Sequence, residues 1–355
     1  MKILFNVPCL ESVYALRFIY EGYKNAFIDL GHECRPFTSC DNLADVLETY
    51  EPDIFFYSLH FYYLKYLDLE LLKRYRDRGL VVFCHVRSWL PLAKEIGCGP
   101  LRDDSRNVWL IKNGLAGDVF WAWYGRGEPL MDGFEETTGY QWHSILEAAD
   151  KTKYFLDRDD RFVSDLAYVG SYLPAKRKFF NRHFPALRKK YDFRIYGSDW
   201  TVANRLLGQI QRAGQYYNIG FLKGLRRLPL SMEDERKVYS SARISLNVHE
   251  EHVVQHGNEI NERTYKILAC GGFEITDGVR QIGKIFTEDE LIIAKDPRDW
   301  FEKIDYYLKK PEEREKIAAA GRKKVLAEHT YHHRVAQVLE IYHQFKRNRP
   351  GSRGK

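Results

Sequence analysis

Short apolar segments alternate along the chain with longer segments whose apolar residues recur every three or four positions. Residues 2–7 form such an apolar segment, and the apolar residues that follow at 13, 16, 20, 23, 27 and 30 share one face of a predicted helix. Ser12 is the predicted N-cap of this helix and Gly31 its end. The alternation continues with a predicted helix at 43–50, a strand at 54–58 and a helix at about 65–76 to a strong predicted strand at 80–84, and it indicates a doubly wound parallel sheet.

A second alternation of the same kind begins after a polar segment at 154–161, which we interpret as an interdomain linker. It predicts a strand at 166–169, a helix at 175–190 and a strand at 193–196 that closes on Gly197. The following residues, 201–228, are predicted to form an irregular or partly helical insertion. The pattern therefore predicts two α/β domains, 1–158 and 159–330.

The central stretch of the second domain combines a buried strand at 244–248, a polar loop and a short helix at 262–269. A loop that runs from the carboxyl end of a strand into a helix is where open α/β sheets bind ligands. The helix N-terminus offers free N–H groups and partial positive charge, which suit a phosphate. Asn258, Asn261 and Arg263 lie close to that end, so we expect an anion-binding site there.

A second candidate for anion binding follows the strand at 166–169. Gly170 ends the strand, Ser171 follows it, and Lys176 and Arg177 come in the first turn of the next helix, so that backbone and side-chain donors can converge. Every Rossmann-like unit has a strand–glycine–helix turn, and a solvated helix residue is the simpler interpretation of Lys176. Its place at a carboxyl-end loop makes the role of an anion ligand equally plausible.

The histidines are less specific signals. His85 directly follows the strand at 80–84 and is interpreted either as a histidine hydrogen-bonded beneath a loop or as a substrate contact across a domain cleft. His249, His252 and His256 lie in a predicted loop without the spacing of a metalloprotease helix, and no fourth ligand is identifiable. No metal site is therefore predicted. The chain also has no G-x-G-x-x-G and no P-loop motif, which disfavours dinucleotide oxidoreductases and P-loop ATPases.

Composition agrees with a globular protein of two domains. The 355 residues are 45% hydrophobic and 29% charged, and no apolar run approaches the roughly 20 residues that cross a bilayer. The six cysteines show neither a C-x-x-C pair nor zinc spacing, and they are expected to be reduced thiols of a cytoplasmic protein.

The net charge of +6 is concentrated at the C-terminus. Five of the charges lie within residues 346–355, which leaves +1 for residues 1–345 and argues against a nucleic-acid partner. The basic segment 346–355 is predicted to be a disordered, solvated tail. Peripheral contact of this tail with an anionic membrane surface is the alternative interpretation.

Several motifs of the second half match a known family. They are DLAYVGSYLPAKR (165–177), SLNVH (245–249), INERTYKILACGGFEITD (260–277) and PEEREKIAAAGRKKVLAEHTYHHR (311–334). In these segments the chain resembles the CgeB-like, spore-maturation type of glycosyltransferase, within the broader GT-B superfamily of enzymes that use nucleotide sugars. Residues 1–137 match the family only in general organisation.

The resemblance implies a GT-B fold, with two Rossmann-like doubly wound domains facing across a cleft. The donor would bind the C-terminal domain, the acceptor would contact the N-terminal domain, and the helix at 331–345 would cross back to the N-terminal domain. Lys176 would correspond to the lysine that grips the donor diphosphate, and Gly197 would lie in the nucleotide-binding site. Ser171 stands where the family usually has an arginine, which Arg177 or Arg263 would replace. His85 would correspond to the family's cleft histidine.

The main departure from the family lies at Lys266. Related enzymes usually have a glutamate there, which binds the donor ribose, and a lysine cannot accept hydrogen bonds from hydroxyl groups. Asn258 likewise replaces an expected acid. Either the donor is held differently, with Lys266 on a phosphate, or catalysis is weakened. Glu259 and Glu262 are the nearest carboxylates and become, with His85, the candidate catalytic residues.

Together these observations predict a cytoplasmic glycosyltransferase that moves a sugar from a nucleoside diphosphate to an acceptor hydroxyl. No cofactor and no metal are expected, because cationic side chains would neutralise the leaving diphosphate. The resemblance implies retention of the anomeric configuration, although no nucleophilic carboxylate is assigned. The alternative is a catalytically degenerate nucleotide-sugar-binding protein, motivated by Asn258 and Lys266, and a GT-B sugar epimerase ranks third.

Overall fold

The computed structural model describes residues 1–13, 15–91, 99–256 and 259–349, with residues 252, 255 and 256 described by their backbone alone. The chain divides into two compact units. The first contains Met1–Leu146, Gly214–Lys223 and the last helix from His332, and the second contains Glu147–Ala213 and Gly224–Tyr331. The sequence predicts residues 147–158 in the first domain and 214–223 in the second. In the structure, residues 147–158 belong to the second unit and residues 214–223 to the first.

The first unit is built on a six-stranded parallel sheet in the order β2-β1-β3-β4-β5-β6. Helices cover the sheet, and its four inner strands are largely buried because both faces are packed. The strands are β1 Lys2–Asn6, β2 Glu33–Phe37, β3 Ile54–Ser58, β4 Val81–His85, β5 Val119–Ala122 and β6 Trp142–Ser144. The helices are α1 Leu16–Asp29, α2 Leu43–Tyr50, α3 Phe61–Leu64, α4 Leu69–Asp77, α5 Ser105–Lys112 and α6 Phe134–Thr138.

Two helix starts in this unit differ from the prediction. The expected cap Ser12 lies four residues ahead of Leu16, and α1 begins after Ala15 without a side-chain cap. The helix that the pattern predicts at about 65–76 starts later, because the non-helical residues 65–68 divide α3, which ends at Leu64, from α4, which begins at Leu69. The division follows from Asp68, whose carboxylate accepts a hydrogen bond from the Leu71 amide at 3.0 Å and so starts a new helix.

The second unit is built on a five-stranded parallel sheet in the order β11-β10-β9-β7-β8. Separate apolar clusters are packed around this sheet. The strands are β7 Ser164–Val169, β8 Phe193–Tyr196, β9 Ala242–Asn247, β10 Glu274–Asp277 and β11 Ile292–Ala294. The helices that follow α6 in the chain are α7 Arg177–Lys190, α8 Val202–Tyr217, α9 Gly220–Lys223, α10 Met232–Ser241, α11 Glu251–His256, α12 Glu262–Ala269, α13 Ile282–Ile285, α14 Pro297–Leu308 and α15 Pro311–Glu328. The end of α8 and all of α9 belong to the first unit.

Two of these helices start at caps that the sequence predicts, Ser231 in a capping box with Asp234 and Asp296 ahead of Pro297. The hydroxyl of Ser231 accepts from the Asp234 amide at 3.0 Å, and Asp296 caps α14, whose first residue is Pro297. The loop predicted after β9 contains the short helix α11, and the insertion at 201–228 is mainly helical.

The last helix, α16 Tyr331–Asn348, belongs to the first unit from His332 onward. Its Gln337 side chain donates to the Ser144 carbonyl oxygen at 2.8 Å, and Arg334 donates to the Leu146 carbonyl oxygen at 2.9 Å. The prediction of a disordered tail from 346 is wrong for residues 346–348, because α16 includes them and Lys346 donates to the Gly79 carbonyl oxygen at 3.3 Å. Residues 350–355 of that tail lie outside the described residues.

None of the described helices is both long enough and apolar enough to cross a bilayer.

Candidate functional site

The first part of the candidate site is the turn after β7. Gly170 ends this strand, and a Cβ atom at this position would lie 2.6 Å from Nη2 of Arg263 and 2.8 Å from Oη of Tyr168. Glycine is therefore required for the Arg263 guanidinium to reach the turn. The guanidinium also lies over the Tyr168 ring, 5.2 Å from its centroid.

Gly197 supports the same turn from β8. Its φ is +150°, and a Cβ atom there would lie 2.0 Å from the Gly170 carbonyl oxygen, so the two turns approach each other too closely for a side chain. The indole Nε1 of Trp200 donates to that carbonyl oxygen at 2.8 Å. The structure thus gives Gly197 a packing role beside Gly170, while its predicted contact with the nucleotide stays a prediction.

Arg263 is positioned by a buried polar network at the start of α12. Its Nη1 donates to Oδ1 of Asn247 at 2.7 Å, and Asn247 and Asn261 exchange two side-chain hydrogen bonds of 3.1 Å. Oδ1 of Asn261 also accepts from the Arg263 amide at 3.1 Å, as an N-cap. The Asn261 amide group is therefore engaged within the protein, and it contributes to the site by fixing Arg263.

The carboxylate of Glu274 lies beneath this network. It accepts hydrogen bonds of 2.9 Å from Asn247 and from Thr264 and is fully buried. Burial raises the pKa of Glu274 to about 7, although these hydrogen bonds and the charge of Arg263 oppose the shift. A buried acid of this kind stabilises the asparagine orientation on which Arg263 depends.

Lys176 is the second cation of the site. It is 6% exposed, and its Nζ donates to the Val248 carbonyl oxygen at 2.8 Å, which connects the start of α7 to the loop after β9. Burial lowers the pKa of Lys176 to about 7, and the positive charge of Arg263 lowers it further, whereas Glu250 and Asp277 raise it. An anion bound beside these two cations would favour the charged form of Lys176.

His249 follows Val248 and is held by Asp277 at the end of β10. Nδ1 of His249 lies 2.5 Å from Oδ1 of Asp277, and the His249 amide donates to Oδ2 at 2.8 Å. Burial lowers the pKa of His249 against the opposing effect of Asp277, so the ring is neutral at neutral pH. Its buried Nε2 has no hydrogen-bond partner within the part of the chain that the structure describes.

A pocket of about 340 Å³ opens beside Lys176 in the second unit. It is formed at the carboxyl ends of β9, β10 and β11, together with the starts of α7 and α14. Its wall includes polar and aromatic side chains, among them Lys176, Phe179, His249, Asp277 and Trp300. Ligands of parallel α/β sheets bind at this edge, and the pocket has room for part of a nucleotide sugar.

Lys266 has partners other than those expected. Its ammonium group is 2.9 Å from Oε1 of Glu262 and 3.6 Å from Oε1 of Glu235, and it lies over the Tyr154 ring at 4.9 Å. The side chain is 6% exposed. Both carboxylates and the aromatic ring belong to the second unit, so the charge of Lys266 is compensated there without a phosphate.

The two candidate catalytic carboxylates differ in environment. Glu262 pairs with Lys266, and its pKa is nonetheless raised by burial. Burial raises the pKa of Glu259 to about 7, and the negative charge of Glu250 adds to the shift. Asn258, predicted to bind the donor, lies outside the described residues.

His85 lies in the first unit at the end of β4. Its Nδ1 is 3.2 Å from Oγ of Ser58, and its ring packs against Trp121 and Trp123 at centroid distances of 4.8 and 4.0 Å. Burial lowers the pKa of His85 to about 3, so the imidazole is neutral at physiological pH. The structure thus shows a histidine hydrogen-bonded beneath aromatic rings, and its contact with substrate stays a prediction.

The remaining candidates near Lys176 are Ser171 and Arg177. The guanidinium of Arg177 lies over the Tyr172 ring, 5.2 Å from its centroid, and Arg205 lies over the same ring at 5.4 Å. The Ser171 carbonyl oxygen accepts from the Leu173 amide at 2.9 Å within the turn. Arg205, in α8, is a cation that the sequence did not indicate.

Other residues that the sequence missed are Asp277, Asn247 and Glu274. Asp277 ends a buried strand at the ligand-binding edge, a position that could have identified it. Asn247 ends β9 and Glu274 begins β10, and buried polar residues of this kind require partners. Within the described residues, no group of three or more His, Cys, Asp or Glu side chains could hold a metal ion.

Comparison with known proteins adds a family match for part of the chain. Residues 176–340, somewhat under half of the chain, match the family model described as Glycosyl transferase-like. This segment includes Lys176, His249, Arg263 and Lys266. A search of curated protein sequences found no significant match.

Solved structures match over nearly the whole chain. Sucrose-phosphate synthase from Thermosynechococcus elongatus has a TM-score of 0.63 at 12% identity, over 98% of this chain and 100% of that chain. An alpha-glucosyltransferase in complex with UDP has a TM-score of 0.62 at 11% identity, over 96% and 99%. The Anabaena protein HepE in complex with UDP and glucose has a TM-score of 0.60 at 12% identity, over 97% and 100%.

The fold is GT-B. This confirms the predicted fold class, with two parallel sheets flanked by helices. At such low identities the structural matches establish the fold alone. The narrower assignment to the CgeB-like type stays a prediction.

Proposed function

We propose that this GT-B protein is a glycosyltransferase that moves a sugar from a nucleoside diphosphate sugar to an acceptor hydroxyl. The observation that supports this function is that Lys176 and Arg263 both lie at the carboxyl edge of the second sheet, close enough for the charge of Arg263 to add to burial in lowering the pKa of Lys176. This edge is where open α/β sheets bind ligands. Both cations lie in the segment that matches the glycosyl transferase-like family, and both are fixed by neighbouring groups.

The two cations would act on the leaving group. Negative charge accumulates on the diphosphate as the glycosidic bond breaks, and preorganised positive groups stabilise that charge without reorganising. Arg263 carries a permanent charge and is held by Asn247 and the Tyr168 ring. Lys176, with a pKa of about 7 in the ligand-free protein, would become fully charged when the diphosphate binds.

The backbone at the start of α12 has a smaller part in this proposal than the sequence indicated. The amides of Arg263 and Thr264 already donate to Asn261, to its side chain and its carbonyl oxygen respectively. The partial positive charge of the helix N-terminus persists, since it arises from the aligned peptide groups. The side-chain cations therefore supply most of the proposed stabilisation.

Metal independence is part of the proposal, because Lys176 and Arg263 can neutralise the diphosphate. Purified protein is titrated calorimetrically with UDP-, GDP- and dTDP-sugars, once with EDTA and once with Mg²⁺. We expect one donor to bind equally well under both conditions. Binding that disappears in EDTA would contradict metal independence. The protein would then be tested as a metal-dependent glycosyltransferase.

Turnover tests the function itself. The donor that binds is incubated with a panel of hydroxyl acceptors, and both transfer and hydrolysis are followed by release of the nucleoside diphosphate. The anomeric configuration of the product, measured by NMR, tests the proposed retention. Tight binding with neither transfer nor hydrolysis would instead identify a nucleotide-sugar-binding protein, the alternative that Lys266 and Asn258 motivate.

The proposed location is the cytoplasm. The five described cysteines, Cys9, Cys34, Cys40, Cys84 and Cys270, form no disulfide with one another. Unpaired thiols are typical of reducing compartments, which supports this part of the proposal.

A further inference from the structure

Helix α8 exposes apolar side chains to solvent. Val202, Leu206 and Ile210 recur every four residues and therefore share one face of the helix, on which they are 73%, 63% and 38% exposed. Leu207, 40% exposed, widens this surface. These four residues, called here the apolar face of α8, form a contiguous patch, whereas exposed apolar residues on globular proteins are usually scattered.

The opposite face of α8 is polar and packed. A Cβ atom at Gly208 would lie 2.7 Å from Nη1 of Arg226, so only glycine permits this close approach. Gln211 donates to the Arg226 carbonyl oxygen at 3.0 Å, and Arg226 forms an ion pair of 2.6 Å with Asp199. Turning the apolar face inward would break these buried polar contacts, so the orientation of the helix is fixed by its own packing.

The chain segment that contains the apolar face of α8 is rich in basic residues. Residues 200–232 contain no Asp or Glu and five cationic residues, Arg205, Arg212, Lys223, Arg226 and Arg227. Arg212 and Arg227 are the exposed ones, whereas Lys223 and Arg226 are buried and Arg226 is paired with Asp199. A partner for this surface must therefore accept apolar side chains and carry negative charge.

We propose that α8 docks the protein on an anionic lipid bilayer surface. A basic helix with an apolar face lies in the interface, with its apolar side chains among the acyl chains and its cations at the headgroups. A second copy of the chain fits less well, because a symmetric dimer through this face would bring two basic, acid-free segments together. A nucleic acid would meet the cations but would leave the apolar side chains exposed to water.

The test is vesicle co-sedimentation with the full-length protein. Vesicles of phosphatidylcholine and phosphatidylglycerol at about 7:3 are compared with pure phosphatidylcholine. We expect binding to the anionic vesicles only. The variant Leu206→Ser with Ile210→Ser is expected to reduce the partition coefficient at least about tenfold, because exposed aliphatic groups no longer enter the bilayer. Arg212→Gln with Arg227→Gln should reduce it about 25-fold, about fivefold for each charge.

The matched control is Ile28→Ser with Leu30→Ser, which removes two exposed aliphatic side chains from the first unit, where they are 50% and 44% exposed. This variant should bind vesicles as the parent does. The proposal is overturned if the parent ignores anionic vesicles, or if the α8 variants bind as well as the parent. A dimer seen by light scattering that the double variant Leu206→Ser with Ile210→Ser dissociates would also overturn it. So would displacement of the parent protein from vesicles by nucleic acid, if the nucleic acid no longer binds the variant Arg212→Gln with Arg227→Gln.

Discussion

Lys176 donates a hydrogen bond from Nζ to the carbonyl oxygen of Val248, 2.8 Å away, and so connects the start of α7 to the loop after β9. The bond holds a nearly buried ammonium group at the carboxyl edge of the sheet, beside the pocket and within the electrostatic influence of Arg263. Burial next to another cation is unfavourable in the ligand-free protein. A site that maintains such an arrangement is suited to binding an anion.

The first prediction concerns the charge of Lys176. Lys176→Met keeps much of the side-chain volume and removes the ammonium group. A hydrogen bond to a charged group contributes about 1.5–3 kcal/mol, so the dissociation constant of the donor sugar nucleotide should rise about 10- to 150-fold. Isothermal titration calorimetry measures the change.

The matched control is Lys189→Met, near the end of α7. Lys189 is exposed and does not line the pocket, so its loss should change affinity little. Equal affinity of the Lys176→Met variant and the parent would remove Lys176 from the donor site.

The second prediction is a pH dependence of donor binding. Lys176 has a pKa of about 7 in the free protein, and a bound diphosphate would raise it, so binding takes up a proton above pH 7. Donor affinity should therefore fall as pH rises from 7 to 9, by at most about tenfold per unit. Burial, Arg263, Glu250 and Asp277 all act on the pKa of this lysine, and together they set the pH at which the fall begins.

A nucleoside diphosphate sugar suits this measurement, because its phosphates have no proton that titrates near neutral pH. The proton uptake is read from calorimetry in two buffers of different ionisation enthalpy. Lys176→Met should abolish both the uptake and the slope. A slope that persists in this variant would assign the titration to another group.

Many elements could be predicted from the sequence because local signals bound them. Helix α2 starts after Asn42, whose side chain accepts from the amides of Ala44 and Asp45, and α12 starts after the cap Asn261. Both helices, and β3, have the predicted bounds. The segment 108–142 could not be assigned, since β5 and β6 are short, and glycines with positive φ at 114, 117, 127, 133 and 139 divide it.

The candidate site was only partly predictable. Lys176 and Arg263 were identified because each follows a strand at its carboxyl end, a relationship that sequence order reveals. Their partners were not, because the contact of Asn247 with Glu274 joins residues 27 apart on neighbouring strands. The pairing of Lys266 with Glu235 has the same origin, since it depends on how α10 packs against α12. Such contacts follow from tertiary packing, which no local pattern encodes.

The third prediction tests the approach of Arg263 to the turn after β7. Gly170→Ala places a methyl group 2.6 Å from Nη2 of Arg263, which cannot stay both there and on Asn247. We expect Arg263 to be displaced and donor affinity to fall about tenfold, within the range for one charged hydrogen bond. Gly283→Ala is the control, because a Cβ atom at Gly283 meets nothing within 4 Å. Unchanged affinity in the Gly170→Ala variant would show that Arg263 does not bind the donor from this position.

The fourth prediction concerns acid stability through His85. Its pKa is about 3 in the folded protein and about 6.5 in an unfolded chain, so the unfolded state binds more protons between these values. The free energy of unfolding should fall as pH falls below 6.5, by about 2–3 kcal/mol at pH 4.5 from this residue. His85→Asn should remove this part of the pH dependence in urea denaturation, whereas replacement of the exposed His343 by Asn should leave it intact. An unchanged pH profile in His85→Asn would show that His85 is already protonated or solvated in the folded protein.

The fifth prediction concerns the buried charge of Lys266. Lys266→Met leaves Glu262 and Glu235 without their shared cation, and breaking a buried ion pair costs about 3–5 kcal/mol. Protonation of a carboxyl group relieves that cost, so the loss of stability should be larger at pH 8 than at pH 5, as measured by urea denaturation. The control Lys324→Met removes a lysine with the same i,i+4 spacing to Glu328 at a more exposed site, and should cost under about 1 kcal/mol. If Lys266→Met keeps its stability but loses donor binding, the ammonium group contacts the donor, and the internal ion pair is not its main role.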